Sequence, residues 1–356
     1  MHRRTLFATI AVIAAVVAVA CGGGGGSKAN NNAAASGTTA ADAPTTLRLG
    51  YFPNVTHATA VAGVEKGIFA DTLKPDKLEV QTFNAGPAAV EALFSDAIDA
   101  TYIGPNPAIN AFVQSKGEAI RIISGATSGG AALVVKPAIT KAADLKGKKI
   151  ASPQLGNTQD VALRYWLDSQ GIKTTKEGGG DASIVPQENA QTLETFKAGT
   201  IDAAWVPEPW ATRLVQEGGG KVLVDEKTLW PGGNFVTTHL IVRTKFLKEH
   251  PASVKRLLEA QVAANAFVND HPDEARTLTN QGIEKITGKK LAQPVIDAAW
   301  ANLTFTDDPI ASSLKESAAH AEKVGLLAKV DLAGIYDLGP LNAVLKSKGQ
   351  KEVAGS

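Results

Sequence analysis

A chain of 356 residues, 44% hydrophobic and 20% charged, has material for sizeable cores and length for about two domains. A formal charge of +1, without a basic stripe or a run of like charges, argues against a nucleic-acid partner. One cysteine and six histidines at no metal-ligand spacing argue against an internal disulfide, a thiolate site or a resident metal cofactor.

The amino terminus reads as an export signal. His2, Arg3 and Arg4 form a basic start, and Leu6 to Ala20 is an apolar run too short for a comfortable membrane span. It ends Ala18-Val19-Ala20-Cys21. Small residues before the sole cysteine resemble a bacterial lipobox, with Ala18 where leucine is commoner, and imply lipid on Cys21 after cleavage. A plain signal followed by an incidental cysteine is the alternative. Residues 21–45 are glycines followed by Ser, Asn, Ala and Thr; they cannot bury a core and are expected to form a flexible tether.

The folded part is expected from Thr46. Strands are expected at Leu47–Tyr51, Leu78–Phe83, Ala100–Ile103, Ile120–Ser124 and Ala131–Lys136. Helices at Thr56–Lys66, Pro87–Phe94 and Pro107–Lys116 alternate with them, and Gly125 to Gly130 is a small-residue loop. Around Asp144 the series restarts. Strands at Ile150–Ser152, Ile184–Gln187, Ala203–Val206 and Val222–Asp225 alternate with helices at Gln159–Ser169, Ala190–Lys197 and Trp210–Gln216. A last strand is expected at Leu240–Arg243. From Pro251 the pattern is helical, with prolines near two helix starts, His250-Pro251 and His271-Pro272. This alternation means an α/β fold with largely parallel sheets.

The restart is a repeat. Ile201-Asp202-Ala203-Ala204-Trp205-Val206-Pro207-Glu208-Pro209-Trp210 matches Ile98-Asp99-Ala100-Thr101-Tyr102-Ile103-Gly104-Pro105-Asn106-Pro107 at an offset of 103 (98 to 201). The same offset pairs Val90 with Leu193, Glu91 with Glu194 and Leu93 with Phe196. Leu240 to Arg243 also mirrors Leu133 to Lys136. Two lobes of similar build follow.

The lipobox-like Cys21, the restarting halves and the ordered stretches YFPNVTHA, SGG, GNTQD, IDAAWVPEPW and HPDEA together resemble the solute-binding proteins of ABC importers. The group is the sulfonate, taurine and nitrate type, which includes relatives that bind pyrimidine precursors of thiamine. The resemblance covers roughly residues 46 to 330. It implies a type II periplasmic-binding-protein fold, two lobes joined by two crossing strands and closing on a ligand by a hinge. Lobe 1 would comprise residues 46–136 and 240–350, and lobe 2 residues 137–239, with the helical tail on lobe 1. It further implies a monomer lipid-anchored outside the cell membrane. Such a chain needs no cofactor, catalyses nothing, and hands a small solute to a permease and its ATPase. An aliphatic sulfonate or taurine is the expected solute; nitrate, bicarbonate or a thiamine-precursor pyrimidine is the alternative.

Ligands of open α/β sheets bind beyond the carboxyl ends of strands, where helix starts offer free N–H groups. Candidates are therefore Asn54 and His57 at the first helix, with helix capping as the plain alternative, and Asn106 between two prolines. Ser128 and Gly129 could let backbone approach a ligand or could form a loop tip. Asn157 and Thr158 open the equivalent helix of the second half, where capping is again the alternative. Trp205 is expected as an aromatic wall and Glu208 as a selector for a ligand with a donor group, against a core tryptophan and a solvated rim charge. His239 could reach the cleft from the hinge. A pyrimidine-synthesising enzyme on the same fold is the rival, but would be intracellular and carry a cysteine-rich metal motif. A purely structural surface protein is the other.

Overall fold

The computed structural model describes residues 43–355; the export signal, Cys21 and nearly all of the expected tether lie outside them. Among the described residues no helix is long and apolar enough to cross a membrane.

The first half runs β1 (Thr46–Tyr51), α1 (Ala58–Glu65), α2 (Ile68–Thr72), β2 (Lys77–Thr82), α3 (Gly86–Phe94), β3 (Ala100–Ile103), α4 (Pro105–Gln114) and β4 (Ile120–Gly129). The second runs β5 (Ala131–Val135), β6 (Lys149–Ser152), α5 (Thr158–Ser169), β7 (Ser183–Pro186), α6 (Asn189–Lys197), β8 (Ala203–Pro207), α7 (Trp210–Gln216) and β9 (Lys221–Asp225). After β10 (Val236–Arg243) come α8 (Thr244–Glu249), α9 (Pro251–Asp270), α10 (Pro272–Thr287), α11 (Gln293–Ala301), β11 (Leu303–Phe305), α12 (Ala311–Lys323) and α13 (Gly339–Ser347).

Two sheets result, β2-β1-β3-β10-β4-β11 and β7-β6-β8-β5-β9. Strand for strand they correspond, with β11 added to the first. In each, three parallel strands are followed by an antiparallel one contributed by chain from beyond that sheet's own series: β10 in the first, β5 in the second. The central strands β3, β5 and β8 are buried at every residue, as expected for strands covered on both faces, so they carry no polar alternation.

The repeated aspartates explain part of the correspondence. Asp99 Oδ2 accepts the N–H of Arg48 at the start of β1, and Asp202 Oδ2 accepts that of Lys149 at the start of β6, both at 2.9 Å. The Asp99 carbonyl accepts the N–H of Arg243, and the Asp202 carbonyl that of Lys136. Each aspartate thus ties the first parallel strand to the inserted antiparallel one. Burial opposes ionisation of Asp99, but hydrogen bonds from Arg48 and Arg243 outweigh it and hold the carboxyl below its usual range.

Three elements differ from expectation. Gly125 to Gly129 is not a loop; β4 continues through it and pairs with β11, a strand hidden in the expected helical tail. Strand β10 begins four residues before Leu240, at Val236. Ala131–Val135, assigned from sequence to lobe 1, is hydrogen-bonded within the second sheet, and Val236–His239, assigned to lobe 2, within the first. The passage between sheets therefore lies at Gly130, with Phe235 alongside: the Gly129 N–H donates to Phe235 O at 3.3 Å.

One core packs α1, α2 and α9 on the first sheet around Leu49, Tyr102, Leu240 and Leu257. The second lobe packs Leu133, Ile150, Leu163, Trp166 and Trp205. The tail sits on lobe 1 and also reaches lobe 2. His320 of α12 stacks on Tyr165 of α5 with ring centroids 3.5 Å apart, and Gln216 of α7 donates to Pro294 O at α11, 3.3 Å away.

Candidate functional site

The carboxyl ends of the parallel strands of both sheets face each other, and the segments leaving β1, β2 and β3 meet those leaving β6, β7 and β8. Between them lies a cavity of about 30 Å³. That is space for a water or two, so the lobes are closed upon it. No aspartate, glutamate, lysine or arginine lines it.

Its floor is built by helix starts. Asn157 caps α5, its Oδ1 accepting the Asp160 N–H at 3.1 Å, as Asn does ahead of a first turn. The first N–H groups of a helix have no partner inside it, so the turn at Thr158 and Gln159 presents donors with the positive end of the helix dipole. Thr158 is 6% exposed and its hydroxyl has no partner. The hydroxyl fits because Gly104 faces it: a Cβ on Gly104 would lie 2.3 Å from Thr158 Oγ1.

His57 closes another side. Its Nδ1 accepts the Phe52 N–H at 3.4 Å, and burial pushes the imidazole down to about 3. The ring is neutral at pH 7, and with Nδ1 accepting, the proton sits on Nε2. Asn54 lines the cavity and accepts from Trp210 Nε1 across the lobes at 2.8 Å. Asn54, His57, Asn157 and Thr158 are thus brought together.

The other six candidates are placed elsewhere. Trp205 is fully buried inside lobe 2, packs 6.0 Å from Trp166 and donates to Glu226 Oε2 at 2.7 Å; it forms core, not a cleft wall. Glu208 is 2% exposed and accepts from Thr212 N, Thr212 Oγ1 and Asn302 Nδ2 at 3.1, 3.0 and 2.8 Å. Its carboxylate therefore starts α7 and ties it to the tail rather than selecting a ligand. Burial raises its pKa, against those three hydrogen bonds. His239 sits in the first sheet with Nε2 2.9 Å from Pro309 O, and burial pushes it down to about 4. Asn106 donates to Ser317 O at 3.1 Å, joining α4 to α12. Ser128 accepts the Phe235 N–H at 3.3 Å. Gly129 does allow a close backbone approach, but to Asn302: with φ of +82°, a Cβ there would lie 2.7 Å from Asn302 O. Among the described residues no group of three or more His, Cys, Asp or Glu could hold a metal ion.

This architecture is shared. The periplasmic nitrate-binding protein NrtA from Synechocystis PCC 6803 superposes with a TM-score of 0.75 at 19% identity, over 86% of this chain and 90% of that one. The alkanesulfonate-binding protein SsuA from Xanthomonas axonopodis pv. citri, bound to MOPS, gives 0.67 at 22% identity, over 82% and 96%. Both show the fold, the type II periplasmic-binding-protein arrangement of two lobes. In sequence, the taurine-binding periplasmic protein of Escherichia coli (strain K12) is 30% identical over 194 residues, 54% of this chain and 57% of that protein. The model of the NMT1-like family matches residues 40–282. The chain belongs to the NMT1-like family.

As an NMT1-like protein of the sulfonate, taurine and nitrate group, it is the solute-binding component of an ABC importer, acts outside the cytoplasm, and is not an enzyme. Several residues lining this cavity escaped the sequence reading, two asparagines among them. Asn84, after β2, and Asn189, after β7, line the same cavity. At its lip, Asn84 Nδ2 donates to Glu188 Oε1 across the lobes at 2.7 Å. Asn84 and Asn189 are 105 residues apart (84 to 189), two beyond the repeat offset of 103, so extending the offset strictly does not pair them.

Proposed function

We propose that this chain captures a small solute with an oxyanion head, such as an aliphatic sulfonate or taurine, between its lobes. The observation that carries the reading is the donor set of the cavity: the unpartnered Thr158 hydroxyl, the first turn of α5 and neutral His57, with no charged side chain. Neutral donors and a helix start suit a weakly basic anion. Glu208 was the ground for preferring a ligand with its own donor group, and its carboxylate is engaged within the protein. The names of the taurine- and alkanesulfonate-binding relatives support the same class.

Closure would turn about Gly130 and the connection from β9 to β10, between lobes divided near residues 136 and 240 from sequence and at Gly130 and Phe235 by strand pairing. Lipid on Cys21 would hold the protein at the membrane beside its permease. A thermal-shift panel of methanesulfonate, taurine, nitrate, bicarbonate and an aminopyrimidine, followed by calorimetry on hits, tests the class. A sulfonate shift is expected, since a ligand of the native state alone stabilises it. A response confined to the aminopyrimidine would refute it.

A further inference from the structure

The inner cavity does not stand alone. Asn54, Asn84 and Asn189 also line a second compartment of about 230 Å³, so these three amides form the partition between the two. The outer compartment has a different character. Leu193 and Trp210 from lobe 2 and Ile283 and Leu291 from the tail on lobe 1 form its apolar walls, and Glu188, Glu194, Arg213 and Lys289 also line it. It is therefore assembled only when the lobes meet. Arg213 lies over the Trp210 ring, its guanidinium carbon 4.8 Å from the centroid, and is held by two hydrogen bonds to Glu217, so the indole is fixed in place.

At the partition, Asn189 is 7% exposed and its Oδ1 has no partner. Amide oxygen and nitrogen can exchange by a turn of the side chain, so this group can meet a solute as acceptor or donor. Size decides what the outer compartment can take. A dry cavity of about 150 Å³ accepts a benzene ring. At about 230 Å³, this one exceeds that, whereas nitrate or taurine would leave it empty.

We propose that the solute spans both compartments, its oxyanion head at Thr158 and a ring-sized apolar tail passing Asn189 to lie against Trp210. The preferred class is then an arylsulfonate or a bulky alkylsulfonate. This rests on the oxyanion reading above and narrows it.

The test is calorimetry on the full chain with methanesulfonate, which carries the head alone, and benzenesulfonate, which adds the ring. Benzenesulfonate is expected to bind at least tenfold tighter. Thr287→Trp, at the exposed rim of the outer compartment, should weaken benzenesulfonate at least fivefold and leave methanesulfonate within twofold. Leu193→Ala, which trims the outer wall without touching the inner cavity, should do the same. Equal affinity for both probes, or variants that weaken both alike, would overturn the outer compartment while the head site stands. If neither sulfonate binds, the head site itself is wrong and the tail proposal falls with it.

Discussion

Thr158→Val separates a ligand contact from a structural one, because its two effects have opposite signs. The side chain is 6% exposed, its hydroxyl is unpartnered, and Gly104 packs against it. Valine keeps the shape and removes the oxygen. A buried hydroxyl without a partner costs about 1–3 kcal/mol, so the free protein should become more stable by about 1 kcal/mol, the lower end allowing for opening of the lobes. A hydrogen bond to a charged group contributes about 1.5–3 kcal/mol, so affinity for methanesulfonate should fall roughly 10- to 150-fold. Urea unfolding of the free chain gives the first quantity and calorimetry the second. A variant that loses stability, or that binds within twofold of the parent, would show that the hydroxyl serves the fold and not the solute.

Other expectations concern the supporting structure. Glu226 is buried beneath Trp205; burial pushes its carboxyl up to about 7, more than hydrogen bonds from the indoles of Trp205 and Trp230 lower it. A raised value means that stability is full below the ordinary value of 4.5 and is lost as pH rises through 7. Glu226→Gln should therefore match the parent in urea unfolding near pH 4.5 and exceed it by roughly 3 kcal/mol at pH 8; a gap that does not widen with pH refutes the burial argument. Trp205→Ala should cost about 3–5 kcal/mol in the same assay, as a large cavity in a packed core does, and a loss below about 1 kcal/mol would place the indole outside the core. Gly130 has φ of +73°, and a Cβ on it would meet Leu303 Cδ2 at 2.0 Å. Gly130→Ala should thus destabilise by about 1–3 kcal/mol, with part recovered when combined with Leu303→Ala; additive losses would remove the steric explanation.

The layout of the chain was legible because it is repeated. The offset joining Asp99 to Asp202 anticipated two aspartates with the same backbone partners, and the alternation of strands and helices located most elements. Side-chain direction was not legible. β8 is buried at every residue, so its pattern could not tell whether Trp205 faced a cleft or a helix; it faces α5. Glu208 was misread for a different reason. Its partner Asn302 lies 94 residues further on, in a tail whose return to the hinge leaves no local mark. Asn157 and Thr158 were placed because helix starts have both a sequence signature and a direction. Asn84 sits in the loop after β2 without such a signature, and Asn189 opens α6 without a capping side-chain hydrogen bond at that helix start.

The exchange of β5 and β10 between sheets bears on the order of assembly. β10 lies between β3 and β4, so the first sheet has a gap at its centre until residue 243 exists. A nascent chain ending in the second half would hold β3 and β4 with bare edges and no strand to join them. The second sheet is complete once Asp225 is present, whereas the first must wait for β10 and β11. In a protein that acts outside the cytoplasm, a first sheet that closes this late delays final folding of that half until most of the chain is in place.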